Sequence, residues 1–195
     1  MTEAPRRIVL GTGNAHKVAE LSAILGPLLP GIEFLRYDGP SPVEDADTFV
    51  GNALIKARAA HLETGLPAIA DDSGIAVDAL DGAPGIHSAR YSGTGRDDDN
   101  RALLLERLGD ATDRSARFVC AAVYVDDEHE LTREAFWEGS VVAGERGDGG
   151  FGYDPLFLPD DAGGRTAGEL SADEKNAISH RRQAFDALAE AIASL

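Results

Sequence analysis

The fold of this chain is set first by the stretch IVLGTGNAHK at residues 8–17. Its first three residues have the apolar character of a short buried strand, and they run directly into a Gly-Thr-Gly-Asn turn. Val18, Leu21 and Leu25 then recur on one face, which predicts a helix that ends before Gly26-Pro27. A strand, a glycine turn and a helix in immediate succession are typical of an α/β protein.

Outward from this unit, strand and helix patterns continue to alternate. The tetrapeptide Asp71-Asp72-Ser73-Gly74 lies between two apolar runs and is interpreted as a sharp polar turn. The alternation favours an α/β fold with a mixed sheet, and 195 residues favour a single domain over residues 1–195. The predicted strands are residues 32–37, 68–70, 75–80, 116–125 and 134–143, and the predicted helices are residues 48–61, 97–108 and the C-terminal segment.

Composition argues against several functional classes. The formal net charge is -16, and the scattered Lys and Arg residues form no basic stripe, so we expect no nucleic-acid partner. No apolar run approaches membrane length, and residues 1–10 lack an apolar leader segment. Cys120 is the single cysteine and lies in an apolar run, which suits a reducing compartment. We therefore expect a cytoplasmic protein that binds no membrane.

An acidic protein that binds an anion has to gather its few cations, or a metal ion, at one place. The turn at residues 12–17 is one candidate, because a strand that ends in a glycine turn and opens a helix presents free N–H groups to an anion. Thr12 and Asn14 add side-chain donors, and Lys17 adds a mobile positive charge. The chain has no P-loop pattern, and the turn alone is weak support, since many α/β proteins contain one.

Carboxylates suggest a metal site. Glu44 and Asp45 precede a predicted helix, and Asp71-Asp72 lies between apolar runs, where an unpaired charge would be costly. Mg²⁺ takes one or two protein carboxylates and leaves its other positions to water and phosphate. Paired aspartates in an acidic protein are also commonly a solvated face. The run Asp97-Asp98-Asp99 is interpreted as a helix start with a favourable dipole interaction and no further role.

Three further groups complete the candidates. Asn52 and Lys56 are one helical turn apart, either as a solvated stripe or as a pair directed at phosphates. The glycine-dense loop at residues 144–155 contains Phe151 and Tyr153, either of which could stack on a base. Near the C-terminus, Ser171 to Glu174 fits a capping box. A helix break near Ser179 would let Lys175 and Arg181 converge. His180 taken alone is typical of a surface histidine.

Together these segments resemble the inosine/xanthosine triphosphate pyrophosphatase family. The matching blocks follow the family's order and span residues 12 to 181, so the combination is far more specific than any one block. Gly51 departs from the resemblance, because many relatives have Glu there. The blocks are TGNAHK at residues 12–17; Glu44 with TFVGNA at residues 48–53 and Lys56-Ala57; ADDSG at residues 70–74 with GAPG at residues 82–85 and SARYSG at residues 88–93; GFGYDP at residues 150–155; and Glu174-Lys175 with Ser179-His180-Arg181.

The resemblance implies a fold, a reaction and a set of site residues. The fold would be an elongated, long mixed β-sheet flanked by helices, with two lobes, an active-site groove between them, and assembly into a homodimer. The reaction would be Mg²⁺-dependent hydrolysis of the non-standard purine nucleotides ITP, dITP and XTP between the α and β phosphates, giving the monophosphate and pyrophosphate and removing these nucleotides from the pool.

In the roles that the resemblance implies, Asp72 is the proton acceptor for the attacking water, and Glu44 and Asp72 ligate Mg²⁺. Residues 12–17 would hold the triphosphate, residues 151–154 would enclose the base, and His180 and Arg181 would read its edge. The expected nucleotide contacts are Thr12, Gly13, Asn14, Ala15, His16, Lys17, Lys56, Ser73, Phe151, Gly152, Tyr153, Asp154, Lys175, His180 and Arg181.

Two alternatives stay open from the sequence. A related pyrophosphatase for pyrimidine or modified nucleotides would have a similar fold and metal, and a substrate panel separates it. A non-catalytic nucleotide sensor is the other alternative, although a sensor does not need a water-activating base such as Asp72.

Overall fold

The computed structural model describes residues 6–195, apart from the side chain of Ala15. It confirms the predicted α/β class. Within the described residues no helix combines the length and apolar character needed to cross a bilayer. The strands are β1 (Arg6–Leu10), β2 (Ile32–Arg36), β3 (Ala68–Val77), β4 (Ser115–Val125), β5 (Glu130–Val141) and β6 (Phe157–Pro159), and the α-helices are α1 (Ala15–Leu28), α2 (Phe49–Thr64), α3 (Asp97–Leu108), α4 (Ala172–Ile178) and α5 (His180–Ala193).

The strands form one six-stranded sheet in the order β2-β1-β3-β4-β5-β6. Strand β1 pairs in parallel with β2 and with β3, with Val9 opposite Leu35 in one ladder and Ala68 in the other. Strands β5 and β6 pair antiparallel. The sheet is therefore mixed, as the sequence predicts.

The chain divides into two compact units, each assembled from separate segments. The first unit consists of Met1–Asp72, Cys120–Ala135 and Arg181–Leu195, and the second of Ser73–Val119 and Phe136–His180. Each unit has an apolar core of its own. In the first unit Leu21, Leu25, Phe185 and Leu188 belong to one buried cluster, and in the second unit Leu104, Phe118, Trp137 and Phe157 belong to another.

The structure corrects the predicted turn at residues 71–74, because β3 runs without interruption from Ala68 to Val77. Successive side chains of a strand point to opposite faces, so Asp71 and Asp72 are directed to different sides of the sheet. Both aspartates are buried. A buried strand tolerates such charges only when they are paired, and the partners described below supply that pairing.

Helix α1 also differs from the prediction, since it continues through Gly26 and Pro27 to Leu28. Proline removes one backbone donor but does not prevent the last turn from closing, which it does through the N–H of Leu29 and the carbonyl of Leu25, 2.9 Å apart. Leu29 is buried in the core of the first unit, so the extra turn adds apolar burial that favours its formation.

The C-terminal segment contains the helix break that the sequence raised near Ser179. Ser171 and Glu174 form a capping box at the start of α4, and Ser179 leaves the helical conformation with ψ of 160°. Helix α5 begins at the next residue. The two cations on either side of the break bind different carboxylates, because Lys175 binds Asp154 whereas Arg181 binds Asp71 and Glu20.

Candidate active site

The predicted triphosphate loop lies between β1 and α1. The carboxamide oxygen of Asn14 caps the helix by accepting hydrogen bonds from the N–H groups of His16 at 2.9 Å and Lys17 at 3.3 Å. The Thr12 hydroxyl oxygen accepts from the N–H of Asn14 at 3.2 Å. Gly13, Asn14 and His16 are exposed, so the loop is open to a ligand at the positive end of the α1 dipole.

Lys17 is not the mobile charge that the sequence suggested. Its Nζ lies 3.0 Å from Oδ2 of Asp71, whose side chain is fully buried. The guanidinium of Arg181 binds the same oxygen through Nη2 at 3.1 Å, and through Nη1 it binds Glu20. A buried carboxylate needs such countercharges, and this need fixes the position of the lysine.

The pKa values within this network follow from its geometry. Burial alone would raise the pKa of Asp71, but Lys17, Arg181 and Lys56 outweigh it and hold that pKa well below its ordinary value. The thiol of Cys120 lies 4.0 Å from Oδ2 of Asp71, and burial together with that charge raises its pKa to about 12. Asp71 therefore stays ionised at neutral pH, while Cys120 stays a neutral thiol.

The second carboxylate of the pair, Asp72, belongs to a different set of contacts. Lys56 Nζ lies 2.9 Å from Oδ1 of Asp72 and 3.1 Å from Oε2 of Glu44. The side-chain amide of Asn52 donates to Oδ2 of Asp72 at 3.4 Å, and its carbonyl oxygen accepts from the N–H of Ala46 at 3.0 Å. Helix α2 therefore aims two polar side chains, one turn apart, at the same carboxylate.

The pKa of Asp72 is shifted in the opposite direction to the pKa of Asp71. Burial raises the pKa of Asp72, and the charges of Lys56 and Lys17 offset it only in part. At Lys56 burial lowers the pKa, but Asp72, Asp71 and Glu44 outweigh it, so the pKa of the ammonium is raised. Asp72 is thus a carboxylate with increased proton affinity, next to a lysine that remains charged, which suits a proton acceptor.

The donor chemistry of this site fits Mg²⁺. Glu44 and Asp72 present two carboxylate groups that converge on one cation, here the ammonium of Lys56. Mg²⁺ prefers such oxygens and needs only one or two from the protein. No group of three His, Cys, Asp or Glu side chains in residues 6–195 is arranged to hold a metal ion, and a two-carboxylate site does not require one.

The ion-paired group in the first unit has an excess of negative charge, because its carboxylates outnumber its cationic side chains. An anionic ligand at this group would need additional positive charge beside it. The group consists of the cations Lys17, Lys56 and Arg181 and the carboxylates Glu20, Glu44, Asp71 and Asp72.

The second unit contains the glycine-dense loop and Lys175. Oδ2 of Asp154 accepts the N–H of Phe151 at 2.8 Å and binds Lys175 Nζ at 2.7 Å. The same Nζ lies over the Phe151 ring, 4.8 Å from its centroid. Gly150 has a φ of 72°, and a Cβ there would collide with the Asp154 carboxylate, so the tight turn requires glycine.

Of the two aromatic residues in this loop, only Phe151 remains accessible to a ligand. Tyr153 is buried, and its hydroxyl donates to the carbonyl of Ser88 at 2.9 Å. Phe151 is half-buried, with Lys175 over its ring. The structure therefore favours Phe151 over Tyr153 as the ring that stacks on a base.

The remaining predicted contacts lie within β3 and at the start of α5. Ser73 follows Asp72 in β3 and is half-buried. His180 is buried and not a surface histidine, because its ring stacks on Phe118 with centroids 4.9 Å apart. Arg181 is 1% exposed. Contact of His180 and Arg181 with a base stays a prediction.

For two candidate residues, Asn52 and Asp71, the structure shows contacts at the site that the sequence did not predict. Asn52 is fully buried and reaches Asp72, and Asp71 binds both Lys17 and Arg181. The spacing of Asn52 and Lys56, one helical turn apart, indicated that both side chains could reach the same group. The partners of Asp71 are far apart along the chain, and no local pattern identifies them.

Sequence comparisons relate this chain to known proteins. The sequence model of the Ham1 family matches residues 8–191. The dITP/XTP pyrophosphatase of Leifsonia xyli subsp. xyli is 49% identical, covering 97% of this chain and 96% of the relative. The protein of the same name from Escherichia coli O157:H7 is 48% identical, covering 96% of this chain and 98% of the relative.

Solved structures give the same result. The HAM1 protein from Coxiella burnetii superposes with a TM-score of 0.87 at 42% identity, covering 97% of this chain and 100% of that one. The nucleoside-triphosphatase / dITP/XTP pyrophosphatase from Mycobacterium abscessus has a TM-score of 0.74 at 44% identity, covering 93% of this chain and 97% of that one.

Proposed function

The chain belongs to the Ham1 family, and from that premise we propose that it hydrolyses non-standard purine nucleoside triphosphates. The substrates are ITP, dITP and XTP, and the products are the nucleoside monophosphate and pyrophosphate, so that these nucleotides leave the pool. The relatives quoted above are named for dITP and XTP. The observation that carries the proposal is the convergence of Asp72, Glu44 and Lys56 beside the middle of the buried strand β3.

In this mechanism Asp72 accepts the proton of the attacking water. Asn52 and Lys56 hold its carboxylate in place, and burial gives it the proton affinity that a general base needs. Phosphoryl chemistry on a polyanion depends mainly on positioning and charge neutralisation. When bound by Glu44 and Asp72, Mg²⁺ supplies charge neutralisation and lowers the pKa of water. Lys17 and the open end of α1 orient the triphosphate.

Base choice follows from hydrogen-bond complementarity. Inosine and xanthosine have a 6-oxo oxygen, which accepts a hydrogen bond, where adenosine has an amino group that donates. A donor from Arg181 or from the backbone at residues 179–180 would be left unpaired by ATP, and such sites discriminate by factors up to about 10⁴. GTP shares the 6-oxo group, so discrimination against GTP has to depend on its 2-amino group. We expect this discrimination to be weaker than that against ATP.

The experiment that tests the function is pyrophosphate release from ITP, dITP, XTP, GTP, ATP and TTP, with Mg²⁺ and with EDTA in its place. We expect ITP, dITP and XTP well above GTP, with ATP and TTP lowest, and loss of activity in EDTA that added Mg²⁺ restores. Highest activity on TTP would indicate the pyrimidine-directed alternative. No release from any of these would indicate a sensor.

We expect activity to rise with pH through the acid range. Asp72 must be ionised to accept a proton. Because burial raises its pKa, the midpoint of the rise in activity on the acid side should lie above the ordinary aspartate pKa of about 4. Deprotonation of the triphosphate acts in the same direction. The measurement is kcat/KM for ITP against pH at saturating Mg²⁺. An optimum below about pH 6 would contradict the scheme and indicate a protonated group as the limiting acid.

The homodimer and the cytoplasmic location are part of the same proposal. Light scattering coupled to size-exclusion chromatography of the purified chain measures the first, and fractionation of cells that express it measures the second. A monomer at assay concentration would remove the dimer from the proposal without affecting the chemistry at Asp72.

A further inference from the structure

The aromatic loop of the second unit is held by helix α3 as well as by Asp154 and Lys175. Oδ2 of Asp97 accepts the N–H of Gly152 at 2.7 Å. Nη1 of Arg101 donates to the carbonyl of the same glycine at 2.8 Å. Both polar groups of the Gly152 backbone are therefore bound by side chains that are one helical turn apart on one face of α3.

Gly152 is placed so that a restraint on its backbone also restrains the neighbouring Phe151. It directly follows Phe151 and has a φ of 60°, a conformation that glycine adopts at little cost. The bond to Asp97 restrains the peptide unit that joins Phe151 to Gly152, and the bond from Arg101 restrains the next peptide unit, which joins Gly152 to Tyr153. Loss of the Asp97 bond releases the first peptide unit directly, and loss of the Arg101 bond removes the restraint on the other side of Gly152, so either loss leaves the backbone beside the Phe151 ring less firmly held.

Arg101 is itself restrained, which makes it a rigid support and not a chance surface contact. It is 9% exposed. Its Nε donates to Glu145 at 2.8 Å, and its Nη2 donates to Asp98 at 2.5 Å. A guanidinium that two carboxylates already hold loses little conformational entropy when it also binds the Gly152 carbonyl. Hydrogen bonds to a charged partner are also the stronger class, which applies to both Gly152 contacts.

We propose that Asp97 and Arg101 are positioning residues that hold Gly152 so that the Phe151 ring is preorganised for the base, and that they thereby set the affinity for the purine. This inference rests on the proposed function, because the base is the ligand that the loop receives. It also assigns a role to the acidic start of α3, which from the sequence was a helix-dipole feature alone. Neither side chain takes part in the chemistry.

The test combines amide exchange with kinetics in four variants. Asp97→Ala and Arg101→Met remove the two contacts. Asp99→Ala and Arg96→Met are matched controls, because Asp99 shares the first turn of α3 but bonds to Thr94, and Arg96 is exposed and pairs with Asp98 and Asp99. Asp97→Asn keeps an acceptor without the charge and serves as the rescue variant.

Without nucleotide, we expect the Gly152 amide to exchange about 10-fold faster in Asp97→Ala, since a charge-assisted bond is lost. With ITP and Mg²⁺, we expect KM to rise about 3- to 10-fold in Asp97→Ala and in Arg101→Met, with kcat changed by less than about 2-fold. Asp97→Asn should recover most of the loss, and the controls should match the wild type. If a residue only stabilises the fold, its replacement would lower the unfolding midpoint without raising KM selectively over kcat.

Unchanged exchange and unchanged KM in Asp97→Ala would overturn the inference. Faster exchange with an unchanged KM would overturn the link to base affinity. Equal effects in Asp99→Ala would trace the result to the charge of the helix start. The wild type is measured first, so absence of pyrophosphate release there is a failure of the proposed function and is distinct from a failure of the inference.

Discussion

Replacing Asp72 by asparagine is expected to lower kcat on ITP by about 10²- to 10⁴-fold while the protein stays folded. The amide keeps the shape of the side chain, and its single oxygen can still accept one of the two hydrogen bonds that Asn52 and Lys56 donate to Asp72. It removes the proposed proton acceptor and one of the two carboxylate charges proposed to bind Mg²⁺. The measurements are single-turnover and steady-state pyrophosphate release, with circular dichroism and thermal unfolding on the same preparation.

Stability should respond in the opposite direction to activity. Because the pKa of Asp72 is raised, its ionised form is disfavoured in the fold at neutral pH, and this cost disappears when the pH falls below that pKa. A neutral amide removes the cost, so we expect an unfolding midpoint equal to or above that of the wild type. Wild-type turnover in a folded Asp72→Asn protein would exclude Asp72 from the mechanism.

The adjacent carboxylate provides the matched control. The pKa of Asp71 is lowered, so its ionised form stabilises the fold above the ordinary aspartate value and that stability is lost as the pH falls through its folded pKa. Asp71→Asn should therefore lower the unfolding midpoint at neutral pH. Two neighbouring residues with the same substitution and opposite stability effects would be difficult to explain by a general disturbance of β3.

The features that the sequence predicted well are those in which the deciding residues are close together. The strand, turn and helix at residues 8–25 follow from apolar spacing, and the start of α4 at Ser171 follows from a capping box. Asn52 and Lys56 are one helical turn apart, and both reach Asp72. In each of these cases local geometry alone brings the groups together.

The predictions that failed depended on distant partners. Asp71 and Asp72 suggested a turn because two charges inside an apolar run are costly, and only partners elsewhere in the chain make a continuous strand possible. Arg181, which binds Asp71, is 110 positions away. The helix start predicted at Asp97 is confirmed, but the contact of Asp97 with Gly152, 55 positions further on, was not predicted. No pattern within one element indicates such pairs.

Loss of Arg181 is expected to cause a large fall in stability that is independent of any nucleotide. The guanidinium is 1% exposed and binds Asp71, which is 0% exposed, and Glu20. Removing one member of a buried ion pair leaves the other charge uncompensated, at a cost of about 3–5 kcal/mol. For a chain of this length that corresponds to about 6–20 °C in Tm. The variant is Arg181→Met, which keeps most of the buried apolar volume.

Two further variants provide a control and a test of the cause. The stability of all variants is measured by urea and thermal unfolding at neutral pH. Arg58→Met removes an exposed arginine that pairs with Glu130, and such surface pairs contribute at most about 1 kcal/mol. Adding Asp71→Asn to Arg181→Met removes the stranded charge and leaves Lys17 able to turn to solvent. We therefore expect the double variant to be more stable than the sum of the two single losses, by about 1–3 kcal/mol. Additive losses would show that the stability of this region comes from packing around Arg181 and not from its charge, and Asp71 would then have to be neutralised by Lys17 alone.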